Sequence, residues 1–264
     1  MEYKTAIGKK FTLIIARGPE EVGARAADIV MELVGKGRPG VLCFPTGSTP
    51  IPLYRRLAGL YRKGLVSFRN CKAFTLDEYR GLPSSNKNSF RFYMERHLFS
   101  KTDFPPRAIH SFNGMAEDIE MECRKYEEAI NKAGGISLLF LGIGANGHIA
   151  YNEPGSNQCS RTRMVVLSQE TRRAIQKNFP GKYPPQYAFT LGIATILSAK
   201  TIVLMATGRD KARAIFRALK GKPTSDVPAS FLQSFKGRLI VILDRDASSM
   251  LNVDLNRCQT ISRK

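Results

Sequence analysis

Residues 136–156 read ISLLFLGIGANGHIAYNEPGS, a largely apolar run that ends in glycines, a histidine and a glutamate. Apolar side chains on consecutive positions mark a strand covered on both faces, as strands of a parallel sheet are. Gly142, Gly144 and Gly147 then spell G-x-G-x-x-G, the order of a dinucleotide loop. Such a loop opens a helix, whereas this one runs into Pro154 and Gly155, which is loop chemistry. An acidic residue about 20 positions on is also not clearly placed. The glycines therefore serve geometry, bending the backbone and letting it approach other groups closely. What they frame is His148, with Glu153 five residues on. An imidazole oriented by a carboxylate is a proton shuttle near neutral pH. His97, in an amphipathic helix, and His110, in a loop after two prolines, have no such frame.

Working outward, the same strand pattern recurs in FTLIIA (11–16), GVLCFP (40–45), KAFTL (72–76), TIVLMA (201–206) and GRLIVIL (237–243). Amphipathic helix patterns occupy 19–37, 50–64, 89–99, 116–134 and 209–221. This alternation predicts an α/β fold: a doubly wound, mostly parallel, Rossmann-like sheet with helices on both faces. No repeat or linker divides the chain, so residues 1–264 read as a single domain.

In such sheets ligands bind at the carboxyl ends of strands, and those ends carry the reactive residues here. Strand 40–45 runs into Thr46-Gly47-Ser48-Thr49-Pro50. A glycine and hydroxyls at a strand-to-helix turn offer N–H groups to an anion, with Thr49 as N-cap and Pro50 as first helical residue. Strand 72–76 is followed by Asp77 and Glu78, adjacent carboxylates of which at most one should reach a substrate. Strand 201–206 leads to Arg209-Asp210-Lys211, where a lysine can complete an anion site.

The chain carries 41 basic and 22 acidic residues, a net charge of +19, which implies attraction to anions. The cations are dispersed and accompany no nucleic-acid-binding signature, so a solvated basic surface is the default reading, ahead of a nucleic-acid partner. Five cysteines without a CxxC pair indicate neither disulfide framework nor metal site. The N-terminal apolar core TLIIA is too short for a signal or a membrane span, so the chain reads as cytoplasmic with no membrane partner. The polar tail after Asp244 reads as a docking or lid-supporting segment.

Taken in order, FPTGSTPIPLYRRL, FTLDEYRGL, NSFRFYMERHLF, LGIGANGHIAYNEPGS, SRTR, TLGIATILSAKTIVLMATGRDKA and VPASFLQ resemble the glucosamine-6-phosphate deaminase family. Its broader superfamily includes the 6-phosphogluconolactonases. The resemblance implies aldose–ketose isomerisation and deamination of an amino sugar 6-phosphate, giving ketose phosphate and ammonia. It assigns Asp77 as general base, His148 to ring opening and Glu153 as its carboxylate partner. It assigns Gly47, Ser48, Thr49 and Lys211 to the phosphate. It implies no metal or organic cofactor, since enolisation needs acid–base groups and charge stabilisation.

Three positions depart from the family pattern. Asn146 stands where well-known bacterial members have Asp, so it can orient the His148 ring but not offset its charge. Lys177 stands where the family has a phosphate-binding Arg, which loses the bidentate fork, and Arg172 and Arg173 are substitutes. Val165 replaces a basic effector-site residue of allosteric members, so allosteric activation is not carried over. The alternatives are a lactonase using His148 as base on water, and a non-catalytic sugar-phosphate sensor, which Asn146 would suit. A third is a basic nucleic-acid binder, of which tight, steeply salt-dependent DNA binding would be required. The gluco or galacto epimer and a homo-oligomeric state are left open.

Overall fold

The computed structural model describes residues 3–6 and 11–251, so Cys258 and residues 252–264 of the tail lie outside the described part. Along the chain the strands are β1 (Tyr3–Ala6), β2 (Thr12–Ala16), β3 (Gly40–Phe44), β4 (Cys71–Thr75), β5 (Asp77–Tyr79), β6 (Ile109–His110), β7 (Leu138–Leu141), β8 (Arg163–Val166), β9 (Tyr187–Thr190), β10 (Thr201–Ala206) and β11 (Arg238–Asp244). The α-helices are α1 (Pro19–Val34), α2 (Ile51–Arg62), α3 (Phe90–His97), α4 (Ile119–Lys132), α5 (Gln169–Ile175), α6 (Ile193–Leu197) and α7 (Ala212–Lys220). All six strands expected from apolar runs form, with bounds within two residues of those expected.

One sheet has the order β1-β2-β11-β10-β7-β3-β4-β6, parallel throughout except for β1 against β2. Successive side chains of a strand point to opposite faces, and both faces are covered. Val41, Cys43, Leu139 and Leu204 pack in one core with Tyr126 of α4 and Ile215 of α7. Leu42, Phe44, Phe140 and Met205 pack in the other with Val22 of α1 and Leu53 of α2. Two-sided burial is why the runs are apolar without alternation. Phe44 and Phe140 are fully buried and stacked, with centroids 5.9 Å apart. Each such ring contributes about 1.5–3 kcal/mol by leaving water. No helix among the described residues is long and apolar enough to cross a membrane.

Helices α1 and α2 touch at Gly23, where an added Cβ would lie 2.6 Å from the Pro52 and Leu53 backbone. Backbone cannot yield as a side chain does, so Gly23→Ala must push the helices apart. We expect a loss of about 1–3 kcal/mol, the usual cost of overpacking, read from urea unfolding midpoints. An unchanged midpoint would show that the contact relaxes freely.

From β3 the chain builds outward through β4 to β6, then returns to place β7 on the other side of β3 and continues to β10 and β11. The strand order thus reverses between β3 and β7, and ligand crevices open at such switch points. A second, antiparallel sheet, β5-β9-β8, lies beyond the end of β4. It is joined to the first through Leu76, whose N–H donates to Phe44 and whose carbonyl accepts from Leu191.

Candidate active site

A cleft of about 380 Å³ opens at the switch point, within the size range of small-molecule sites. Residues 45–49 after β3, Asp77 after β4, the 142–148 loop after β7 and Lys211 before α7 all line it. Of the nine positions singled out in the sequence, seven line this cleft: Gly47, Ser48, Thr49, Asp77, Asn146, His148 and Lys211. Glu153 and Lys177 do not.

The 45–49 turn is held from behind by two tyrosines. Tyr54 of α2 donates to the Pro45 carbonyl, and Tyr93 of α3 to that of Gly47 at 2.5 Å. Thr49 does not cap α2, contrary to the sequence reading. The helix starts one residue later, at Ile51, and Pro50 takes the cap position. The Thr49 hydroxyl is thereby released from capping. The Gly47, Ser48 and Thr49 N–H groups meet no acceptor among the described residues. Lys211 ends the Arg209–Lys211 turn, paired with Asp210 at 3.0 Å.

Asp77 and Glu78 divide their roles as alternating strand residues should. Glu78 turns away from the cleft and caps α3, accepting from the Phe90 and Arg91 N–H groups at 2.9 Å each. Asp77 lines the cleft, is 7% exposed, and has an Oδ1 atom that is buried with no hydrogen-bond partner among the described residues. Loss of hydration, and secondarily the Glu78 charge, push its carboxyl up to about 8. A buried, unpartnered carboxyl held near neutrality is suited to receiving and returning a proton.

His148 is oriented by Asn146, not by Glu153. Asn146 Oδ1 accepts from the His148 backbone N–H at 3.2 Å and lies 2.8 Å from ring Nδ1. Because the backbone N–H fixes that atom as the amide oxygen, Nδ1 carries the hydrogen. Burial, assisted by the Lys211 charge and opposed by Glu153 and Glu170, lowers the imidazole below its ordinary value. The ring is therefore neutral at pH 7, with its lone pair on Nε2. The expected Glu153 bond to His148 does not form, because that carboxylate is occupied elsewhere. It accepts from the Ser168 N–H at 3.1 Å and from the Thr171 hydroxyl, tying the loop to the start of α5.

Gly144 is needed for this ring position: an added Cβ would sit 2.2–2.6 Å from ring atoms of His148. Gly147 turns at φ 90°, closed to most side chains. Ala150 stands at φ 49°, a costly conformation for a residue with a Cβ. The flanking Ile149–Asn152 bridge and the Tyr151 N–H bond to Thr190 Oγ1 at 3.1 Å hold it there.

Lys177 is exposed outside the cleft. An α-helix continued through it would return it to the face of Glu170 and Ala174, which line the cleft. Instead α5 ends at Ile175 and Gln176–Asn178 form a 3₁₀ turn. Arg172 and Arg173 line a different groove, with Tyr183. The sequence reading missed α5 as a wall of the cleft, although Ser168 is its N-cap, accepting from the Thr171 N–H at 3.1 Å. It also missed Phe90 and Tyr151 as lining residues.

Comparison with known proteins identifies the family and the fold. Residues 19–241 match the model of the glucosamine-6-phosphate isomerases/6-phosphogluconolactonase family. A glucosamine-6-phosphate deaminase of Alkaliphilus oremlandii is 43% identical over 88% of this chain and 96% of its own. Glucosamine-6-phosphate deaminase 1 of Giardia intestinalis is 42% identical over 90% of each. The solved structure of a monomeric glucosamine-6-phosphate deaminase superposes with TM-score 0.86 at 39% identity, covering 90% of this chain and 99% of that one. A Trypanosoma brucei 6-phosphogluconolactonase shares the fold, with TM-score 0.72 at 22% identity over 92% of this chain and 99% of that one.

Proposed function

The chain belongs to the glucosamine-6-phosphate isomerase/6-phosphogluconolactonase family, and on that premise we propose that it converts glucosamine 6-phosphate to fructose 6-phosphate and ammonia. The observation that carries this reading is Asp77, a buried cleft carboxyl with an unpartnered oxygen held at about 8. Lactone hydrolysis needs a base on water and has no use for a second carrier there. Isomerisation needs a group that takes a proton from one carbon and returns it to the next.

The substrate phosphate lies against the N–H groups of Gly47, Ser48 and Thr49, with Lys211 supplying the opposite charge. The unprotonated Nε2 of His148 takes the anomeric hydroxyl proton and returns it to the ring oxygen, which opens the sugar. Asp77 carboxylate removes the C2 proton while the substrate ammonium gives one of its protons to O1, leaving a neutral enolamine across C1 and C2. The same proton delivered to C1 gives an iminium at C2, and water replaces its nitrogen, releasing ammonia. Asn146 holds the histidine tautomer that this sequence requires. Glu153 acts at a distance by anchoring Ser168 and Thr171. The two sheets wall one cleft, which supports reading residues 1–264 as one catalytic domain.

The test is ammonia release from glucosamine 6-phosphate by the purified protein, with 6-phosphogluconolactone hydrolysis run beside it. Ammonia with little lactone turnover is expected; lactone hydrolysis alone would reassign the chain to its sister activity. Lys211→Ala should raise KM for the phosphorylated substrate roughly 10- to 100-fold, the worth of a hydrogen bond to a charged group, with a smaller change in kcat. An unchanged KM would remove Lys211 from the phosphate site.

A further inference from the structure

Two grooves outside the cleft meet at Tyr183, a residue that is 92% exposed. Arg80, Lys87 and Lys182 line one, and Arg172 and Arg173 the other, with no carboxylate in either lining. The cations come from two stretches with no acidic residue, 79–94 and 171–209. They are separated in sequence and converge only through folding, where the Asn88 amide donates to the Asn178 carbonyl at 2.8 Å. A search for runs of charge along the chain therefore passes over them. None of the five forms an ion pair with a described carboxylate. Arg172 Nε is buried with no hydrogen-bond partner among the described residues.

We infer that this surface binds single-stranded nucleic acid, phosphates lying along the two grooves and a base stacking on Tyr183. An aromatic ring standing free in water between cationic grooves matches how non-specific single-strand binders combine stacking with backbone tracking. An anionic membrane would need apolar groups to insert, and one tyrosine among five cations offers few. A phosphorylated sugar has no base to stack and needs only a few of these charges. The surface lies on the opposite side of α5 from the residues that wall the cleft, since Glu170, Thr171 and Ala174 face one way and Arg172 and Arg173 the other. The inference also gives part of the +19 charge a use that the sugar phosphate does not supply.

The experiment is fluorescence anisotropy of a labelled oligouridylate with the full chain, titrated with salt, beside a DNA duplex and phosphatidylserine vesicles. Binding to the single strand should weaken steeply with salt. Lys87→Glu with Lys182→Glu should cut the slope of log affinity against log salt by about 1.4, as expected for two phosphate contacts on a single strand. Tyr183→Ala should weaken binding roughly fivefold or more, the lower end for one stacked base. Both variants should keep wild-type ammonia release, which shows that they fold. No binding at low salt, equal binding by these variants, or preference for vesicles or duplex over the single strand would overturn the inference.

Discussion

Asp77→Asn should abolish ammonia release, by at least about 10³-fold, while leaving the affinity for sugar phosphate within a few fold. The amide keeps the shape of the carboxyl but cannot take the C2 proton, and a positioned general base is worth about 10²–10⁴. Phosphate contacts at residues 47–49 and Lys211 are untouched, so binding measured by calorimetry should survive. The same substitution should stabilise the fold at alkaline pH. An unfolded Asp loses its proton near 3.8, whereas Asp77 holds its own to about 8. The folded state binds the extra proton between those values, so stability falls as pH rises through that window, with the full cost present above it. The amide in Asp77→Asn has no charge to bury and escapes the cost. Thermal unfolding at pH 9 should therefore favour the variant by up to about 6 kcal/mol, an upper bound, with the difference vanishing near pH 4. For the wild type, kcat/KM should rise with pH through about 8, where the carboxylate form of the free enzyme becomes dominant. A variant that releases ammonia, or gains no stability at pH 9, would take the proton carrier away from this position.

The second large effect is at His148, and it can be reached without changing that residue. Gly144→Ala would place a methyl 2.2–2.6 Å from the ring, closer than any contact allows. The imidazole must leave the position that Asn146 gives it. We expect kcat to fall about 10²-fold or more, close to the effect of His148→Gln, since both remove a positioned proton acceptor. Combining the two should cost little beyond either alone, because they disable one function. Gly144→Ala with full activity would mean that the ring can work from another place, and His148→Gln with full activity would remove it from the reaction.

Six of the eight strands of the main sheet were legible because burial on both faces leaves a mark, a short run rich in apolar residues without alternation. The helices between carry a 3.6-residue stripe. Strands β1 and β6 have no such run, and β6 carries His110, whose segment reads as loop. The small sheet was not. Its strands, such as DEY at 77–79 and RMVV at 163–166, are three or four residues long, and their pairing is with distant segments. No local pattern announces that Asp77 will face Thr190. The positions of seven cleft residues were readable since each follows an apolar run directly, and the sheet gathers strand ends at one crevice.

What failed were inferences about which side chain meets which. Glu153 is near His148 along the chain, yet backbone turns at Gly147 and Ala150 carry it toward α5, and the ring is met by Asn146 two residues back. Lys177 was placed by the family resemblance, but α5 stops at Ile175 and the 3₁₀ turn after it leaves Lys177 outside the cleft. Thr49 was placed by cap preference, which Pro50 overrode. Each depends on where one turn ends, and a turn's end is decided by tertiary contacts that composition does not record. The cations around Tyr183 belong to the same class, dispersed in sequence and adjacent in space.

The most direct test uses glucosamine 6-phosphate carrying deuterium at C2. We expect the wild type to release ammonia and to deliver the deuterium to C1 of fructose 6-phosphate or to water, and Asp77→Asn to leave it in the substrate. Recovery of a sugar phosphate that has lost its nitrogen but kept deuterium at C2, or label transfer undiminished in Asp77→Asn, would contradict proton transfer by Asp77.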